Sequence, residues 1–128
     1  MSKTEQKPCP CGNPSYADCC QPYLEGMAFP PDAVSLMRSR YTAYVLENEE
    51  YLRSTWAEEN RPSGTIIEKK QTTKWIGLKI LRHQEHEDRA TVEFIARYKV
   101  NGRMQKLHEI SRFVKEDSLW FYHDGTFF

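Results

Sequence analysis

Between Asp32 and Asn48 apolar residues return at intervals of three and four, at Val34, Met37, Tyr41, Tyr44 and Val45. That period predicts a helix with one apolar face. Asp32 is placed to cap it, its carboxylate accepting from the free N–H groups of the first turn. The next stretch, NEEYLRSTW, predicts a shorter helix capped by Asn48, with Leu52 and Trp56 turned inward. RPSGTIIEKKQTT opens on helix breakers and predicts no more than a helical turn around Ile66 to Lys70. Beyond Lys74 the period falls to two. KWIGLKILRH (74–83), RATVEFIARYKV (89–100), MQKLHEISRFV (104–114) and LWFYHDG (119–125) predict strands, separated by the loop QEHED, the pair Asn101–Gly102 and the turn KEDS. Asn-Gly is the strongest hairpin signal, because a type I′ turn needs positive φ at both central residues. Helices followed by a four-strand meander place the chain in the α+β class, with helices packed on one face of an antiparallel sheet.

The 31 residues before this pattern are organised differently. Residues 1–8 are polar and read as a loose N-terminus. CPCGNPSYADCC (9–20) then holds all four cysteines of the chain, Cys9, Cys11, Cys19 and Cys20. QPYLEGMAFPP reads as an irregular connector, and the boundary with the α+β domain falls near Phe29 to Pro31, giving a small unit over 9–28 and a domain over 29–128. A pair of thiols at each end of a short loop can converge on one ion. Zn²⁺ suits soft sulfur in a closed tetrahedral Cys₄ site, whose role is structural. Gly12 and Asn13 tolerate positive φ and would supply the turn that aims backbone N–H groups at sulfur. Two competing readings are weaker. Disulfides would need a strained bridge between adjacent Cys19 and Cys20 or two bridges crowded into one loop, and a redox pair would prefer C-x-x-C, which is absent.

Composition narrows the function. The chain has 128 residues, 39% hydrophobic and 28% charged, enough for a real core. Lys+Arg and Asp+Glu balance at 18 each, which is not the basic footprint of a protein that binds nucleic acid through phosphates, so nucleic acid is not the expected partner. No apolar run approaches the roughly 20 residues that span a bilayer, and MSKTEQKPCP lacks the apolar stretch of a signal peptide. The expected location is cytoplasmic, where thiols stay reduced and free to bind metal.

CPCGNPSYADCC resembles the SEC-C motif, the zinc-binding tail of the SecA translocation ATPase, in its C-x-C-G, its aromatic Tyr16 and its adjacent second pair. The loop between the pairs holds seven residues, one fewer than is usual for that motif. LMRSRYTAYVLENEEYLRSTW (36–56), HEISRF (108–113) and WFYHDG (120–125) resemble the YchJ-like family of uncharacterised bacterial proteins. That resemblance implies a SEC-C knuckle joined to a domain of the nuclear-transport-factor-2-like (NTF2-like) fold, a cone of helices against a curved antiparallel sheet. It implies no reaction.

A cone of this kind can enclose a pocket. On the third strand His108, Ile110 and Arg112 share one face, with Glu109, Ser111 and Phe113 on the other. Arg38 and Arg40, two apart, lie on different faces of the first helix. The candidate pocket residues are Arg38, Tyr41, His108, Glu109 and Arg112: Arg38 or Arg112 to bind an anion, His108 or Glu109 to move a proton. The competing reading is a buried Arg–Glu pair that fixes helix packing. No Ser/His/Asp order, phosphate loop or paired-carboxylate motif is present, so an enzyme is not the first expectation. The favoured role is protein interaction through the knuckle, which in SecA serves protein partners. A small-molecule or catalytic pocket in the cone is the alternative, and nucleic-acid contact a weaker one.

Overall fold

The computed structural model describes residues 7–67 and 73–128. A short helix α1 (Gln21–Leu24) follows the cysteines, then α2 (Ala33–Val45), α3 (Glu49–Ser54) and a 3₁₀ turn (Glu58–Asn60). Four strands complete the chain: β1 (Thr73–His86), β2 (Arg89–Val100), β3 (Arg103–Glu116) and β4 (Leu119–Phe127). They form one antiparallel sheet in sequence order, and the helices pack on one of its faces. The α+β class is as expected, and the caps explain the helix starts. Asp32 accepts from Ser35 N at 2.8 Å, and Asn48 from Tyr51 N at 3.0 Å. Asp32→Ala is expected to cost about 1 kcal/mol, the usual value of an N-cap side chain, read as a shift of the urea midpoint.

Three hairpin turns set the meander. Asn101 and Gly102 both take positive φ (52° and 83°), as a type I′ turn demands. The other two connections are tighter than expected. QEHED is not a five-residue loop, because β1 runs on through His86 and turns at Glu87–Asp88; KEDS likewise reduces to Asp117–Ser118, both at positive φ. Long strands gain ladder bonds at polar positions that sequence alternation reads as loop. Register shifts at Trp75/Gly77 and Ile80/Arg82 in β1, and at Arg112/Phe113 in β3, bend the sheet around the helices. The connector is less irregular than expected, since its first residues form α1. The anticipated turn at Ile66 to Lys70 falls largely on residues outside the described ones.

The largest departure concerns α2. Leu36, Met37, Ser39, Arg40, Tyr41, Thr42 and Ala43 are all buried, so the helix is covered on nearly every side instead of along one stripe. Three neighbours cover it. Tyr41 packs edge-on against Trp75 of β1 (5.6 Å between ring centres), Ser39 bonds Tyr51 of α3 at 2.7 Å, and Thr42 faces the cysteine segment. Cys9, Cys11 and Cys20 share one continuous apolar cluster with Leu36, Met37, Val92, Phe94, Phe113 and Trp120. A final strap closes the cone: Tyr122 N donates to Thr55 O (2.8 Å) and Ala57 N to Tyr122 O (2.7 Å), stitching the chain after α3 to β4.

Candidate metal centre and cone cavity

The four cysteines are free thiols, and their sulfurs all lie within 4.8 Å of one another. Cys11 and Cys19 Sγ stand 3.6 Å apart and Cys19 and Cys20 Sγ 3.7 Å. Four sulfurs about 2.3 Å from one zinc ion form a tetrahedron with edges of about 3.8 Å, so the cluster fits such an ion despite its seven-residue loop. Gly12, at φ 111°, makes the turn; Asn13 does not take positive φ but accepts from Cys9 N through its carbonyl at 2.9 Å. Polar neighbours orient the sulfurs: Asn13 Nδ2 donates to Cys19 Sγ (3.1 Å) and Thr42 Oγ1 to Cys20 Sγ (3.3 Å), while Arg38 Nη1 holds the Cys11 carbonyl (3.1 Å). The crowding divides the thiols. Cys11 is pulled down to about 4, chiefly by the Cys20 hydrogen bond, while the same bond pushes Cys20 up and burial lifts Cys19 to about 11. A cation among the sulfurs favours the thiolate form of all four.

A cavity of about 250 Å³ lies on the other side of α2, between the helices and the concave face of the sheet. Of the candidate pocket residues, Tyr41 and Glu109 line it. Arg38, His108 and Arg112 do not. Arg38 serves the knuckle, whereas His108 and Arg112 are on the opposite sheet face, where His108 Nε2 meets Glu93 (2.7 Å) and Arg112 Nε meets Asp124. His123, nearby on β4, bridges Glu59 (3.1 Å) and Asp124 (3.3 Å).

Inside the cavity Glu109 is only 5% exposed. Its Oε2 accepts from Ser111 Oγ and Tyr122 OH, both at 2.8 Å. Burial pushes its carboxyl up, while Ser111, Tyr122 and Arg40 pull the other way. Gly125 is what lets it sit there: a Cβ at that position would overlap Oε2 and stand 2.8 Å from Cδ. The linkage has a definite sign. A carboxyl whose pKa is higher folded than unfolded contributes most below the unfolded value and loses that contribution as pH rises through the folded one. Glu109→Gln keeps an oxygen for both hydroxyls. It should therefore gain stability relative to the native protein as pH rises above 4.5, the ordinary value, with the gap closing below it. Urea unfolding over a pH series measures this.

Arg40 is the side chain that sequence reasoning left out of the site. It is 4% exposed; Nη1 donates to Leu52 O (2.9 Å) and Thr55 Oγ1 (2.7 Å). Its guanidinium lies 5.0 Å from the Trp56 ring centre and 4.6 Å from that of Tyr122. The signal was present in the period, since Arg40 follows Leu36 by four and Met37 by three and precedes Tyr44 by four, on the buried side. Trp56, Trp75 and Phe94 complete the aromatic walls.

Known proteins resemble the chain along nearly all its length. A family described as YchJ_M-like (YchJ, middle NTF2-like domain) matches residues 32–125. A UPF0225 protein of Bordetella pertussis is 48% identical, over 98% of both chains, and one of Chromobacterium violaceum is 43% identical, over 96% of this chain and 95% of the relative. Among solved structures, a SEC-C motif containing protein from Rhodopseudomonas palustris superposes with a TM-score of 0.82 at 32% identity, over 95% of this chain and 98% of its own. A sec-c motif containing protein from Psychrobacter arcticus gives 0.73 at 29%, over 94% and 81%.

Proposed function

The chain belongs to the UPF0225 family with a YchJ-like NTF2-like domain, and from that premise we propose that it is a zinc-stabilised small-molecule-binding protein whose ligand sits inside the cone. The observation that carries this reading is the cavity behind α2, lined by a buried cation and a buried carboxyl, Arg40 and Glu109, together with aromatic rings. Buried charges are costly unless paired. Their presence on an open cavity wall is accounted for if a ligand supplies what the protein does not. The zinc, when bound by Cys9, Cys11, Cys19 and Cys20, supplies structure and no open coordination position. Thr42 and Arg38 then transmit its placement to α2, which forms one wall of the cavity.

The test is analysis of protein purified without added metal. Elemental mass spectrometry should find about one zinc per chain. Native mass spectrometry should find a small molecule that leaves on denaturation and is missing from Ala96→Trp, whose new ring would fill the cavity. A different metal, or none, would remove zinc from the reading. A mass unchanged by denaturation in both proteins would count against the ligand.

Protein docking by the knuckle keeps one supporting observation. A groove of about 420 Å³ runs beside the connector, lined by Leu24, Phe29, Tyr51 and Trp120, and Phe29 is exposed along it. A partner retained by the native protein but not by Cys20→Ser, under conditions where both are folded, would favour it.

A further inference from the structure

The cavity's charges and walls restrict what it can hold, and the following step rests on the cavity reading above. Arg40 is its only cation among the lining residues. No carboxylate among the described residues lies within ion-pair distance of it. Its acceptors are neutral: Leu52 O and Thr55 Oγ1 meet Nη1, and the Tyr44 hydroxyl also pairs with the guanidinium. Among the described residues Nε and Nη2 meet no carbonyl or carboxylate, and the sealed, unpaired polar atoms there are the indole nitrogens of Trp56 and Trp120. Because Arg40 lines the cavity, a guest there can meet the guanidinium. An arginine in that state presents a planar, weakly hydrated fork of the shape that a carboxylate fills.

The walls supply the rest of the guest's description. Tyr41, Tyr44, Trp56, Trp75, Phe94 and Tyr122 offer ring faces and edges. At about 250 Å³ the space falls below the roughly 300–1,000 Å³ of pockets for drug-sized ligands, so one ring with a short substituent fills it. A dianion such as phosphate would leave one charge uncompensated and the rings unoccupied. We propose that the cavity binds a small flat monocarboxylate, one aromatic or conjugated ring whose carboxylate pairs with Arg40 while its ring lies among the tryptophans and tyrosines.

Glu109 tunes this binding. Oε2 is occupied by Ser111 and Tyr122, so a proton on Oε1 turns the nearest carboxyl from a repelling charge into a hydrogen-bond donor toward the guest. The titratable groups on the cavity are Arg40, Tyr41 and Tyr44 from α2, Glu109 from β3 and Tyr122 from β4. Burial lifts all three tyrosines above their ordinary range, so Glu109 is the group that changes charge as pH falls from neutral toward acid. Arg112, on the other sheet face, also acts on Glu109 through its field.

The experiment uses the full metal-loaded protein and three probes of one shape: benzoate, benzamide and benzylammonium. Calorimetry reads affinity, and the indole N–H resonances of Trp56 and Trp75 report whether the ring enters the cone. Benzoate should bind at least tenfold tighter than benzamide, with benzylammonium weaker still, and its affinity should fall as pH rises. Glu109→Gln should tighten benzoate at pH 8 by threefold or more and flatten the pH dependence. Arg40→Lys should weaken it at least tenfold; if that variant does not fold, the Glu109→Gln comparison still decides. Equal or tighter binding of benzamide or benzylammonium, with the indoles shifted, would overturn the anion while leaving the cavity reading in place. Indoles unmoved by every probe would overturn both.

Discussion

Stripping the metal with a strong chelator is expected to destabilise the whole protein, not the N-terminal segment alone. Cys9, Cys11 and Cys20 are 3%, 1% and 1% exposed, within the same apolar cluster as Phe113 and Trp120. Losing the ion leaves four sulfurs crowded within 4.8 Å of one another in that cluster, with no cation to hold them together. Structural zinc in isolated fingers is worth on the order of 10–16 kcal/mol. A loss of even about 5 kcal/mol would consume much of the roughly 5–15 kcal/mol by which domains are stable. The measurement is thermal unfolding by circular dichroism, with and without chelator, monitoring sheet signal. A drop of more than about 10 °C is expected, since about 1 kcal/mol moves a domain of this size by several degrees. Cys20→Ser should approach the chelated protein. Cys19→Ser, altering the half-buried member of the set, should fall short of it. An unchanged transition would mean that the apolar contacts of the segment hold it without the ion.

Phe113→Ala is expected to cost about 3–5 kcal/mol, the range for removing a buried aromatic ring. Phe113 is 1% exposed and faces inward from β3, beside the bulge at Arg112/Phe113. Its ring meets Tyr122 edge-on at 5.8 Å, and its cross-strand partner on β2 is Ala90. Ala90 is too small to fill the space left behind, and β strands joined by ladder bonds on both sides cannot close over it. Because Tyr122 also bonds Glu109 and underlies Arg40, the loss should reach the cavity: binding of any guest should weaken along with stability. Urea unfolding gives the first quantity and ligand titration the second. A cost under about 1 kcal/mol would show that the core relaxes around the gap.

How far these outcomes could be read beforehand varies along the chain. The helix starts were legible because Asp32 and Asn48 act on N–H groups three residues away. The central hairpin was legible because Asn101–Gly102 has few conformational alternatives. That Glu109, Ser111 and Phe113 share one face of β3 followed from strand alternation alone. Strand ends were harder, since polar residues such as Glu85 and His86 join the ladder through their backbone.

The candidate pocket divides by the same logic. Alternation places His108 and Arg112 on one face and Glu109 on the other, but which face meets the helices depends on the packing of the whole sheet. Arg38 and Arg40 likewise differ by about 200° around α2, and only the presence of a second layer, the cysteine knuckle, decides that Arg38 holds the Cys11 carbonyl while Arg40 lies against Trp56 and Tyr122 on the cavity wall.

What the sequence determined by itself was local: two caps, a type I′ turn, the alternation of the strands, the α+β order and a cysteine set able to gather round one ion. The tertiary structure decided what lies between distant segments: that the knuckle shares the main core, that α2 is buried on nearly every side, and that Arg40, Glu109 and Tyr122, from three elements, face one cavity. The division has a physical cause. Caps and turns act over a few residues of chain, whereas burial and the field at a charged group are sums over neighbours that only folding brings together.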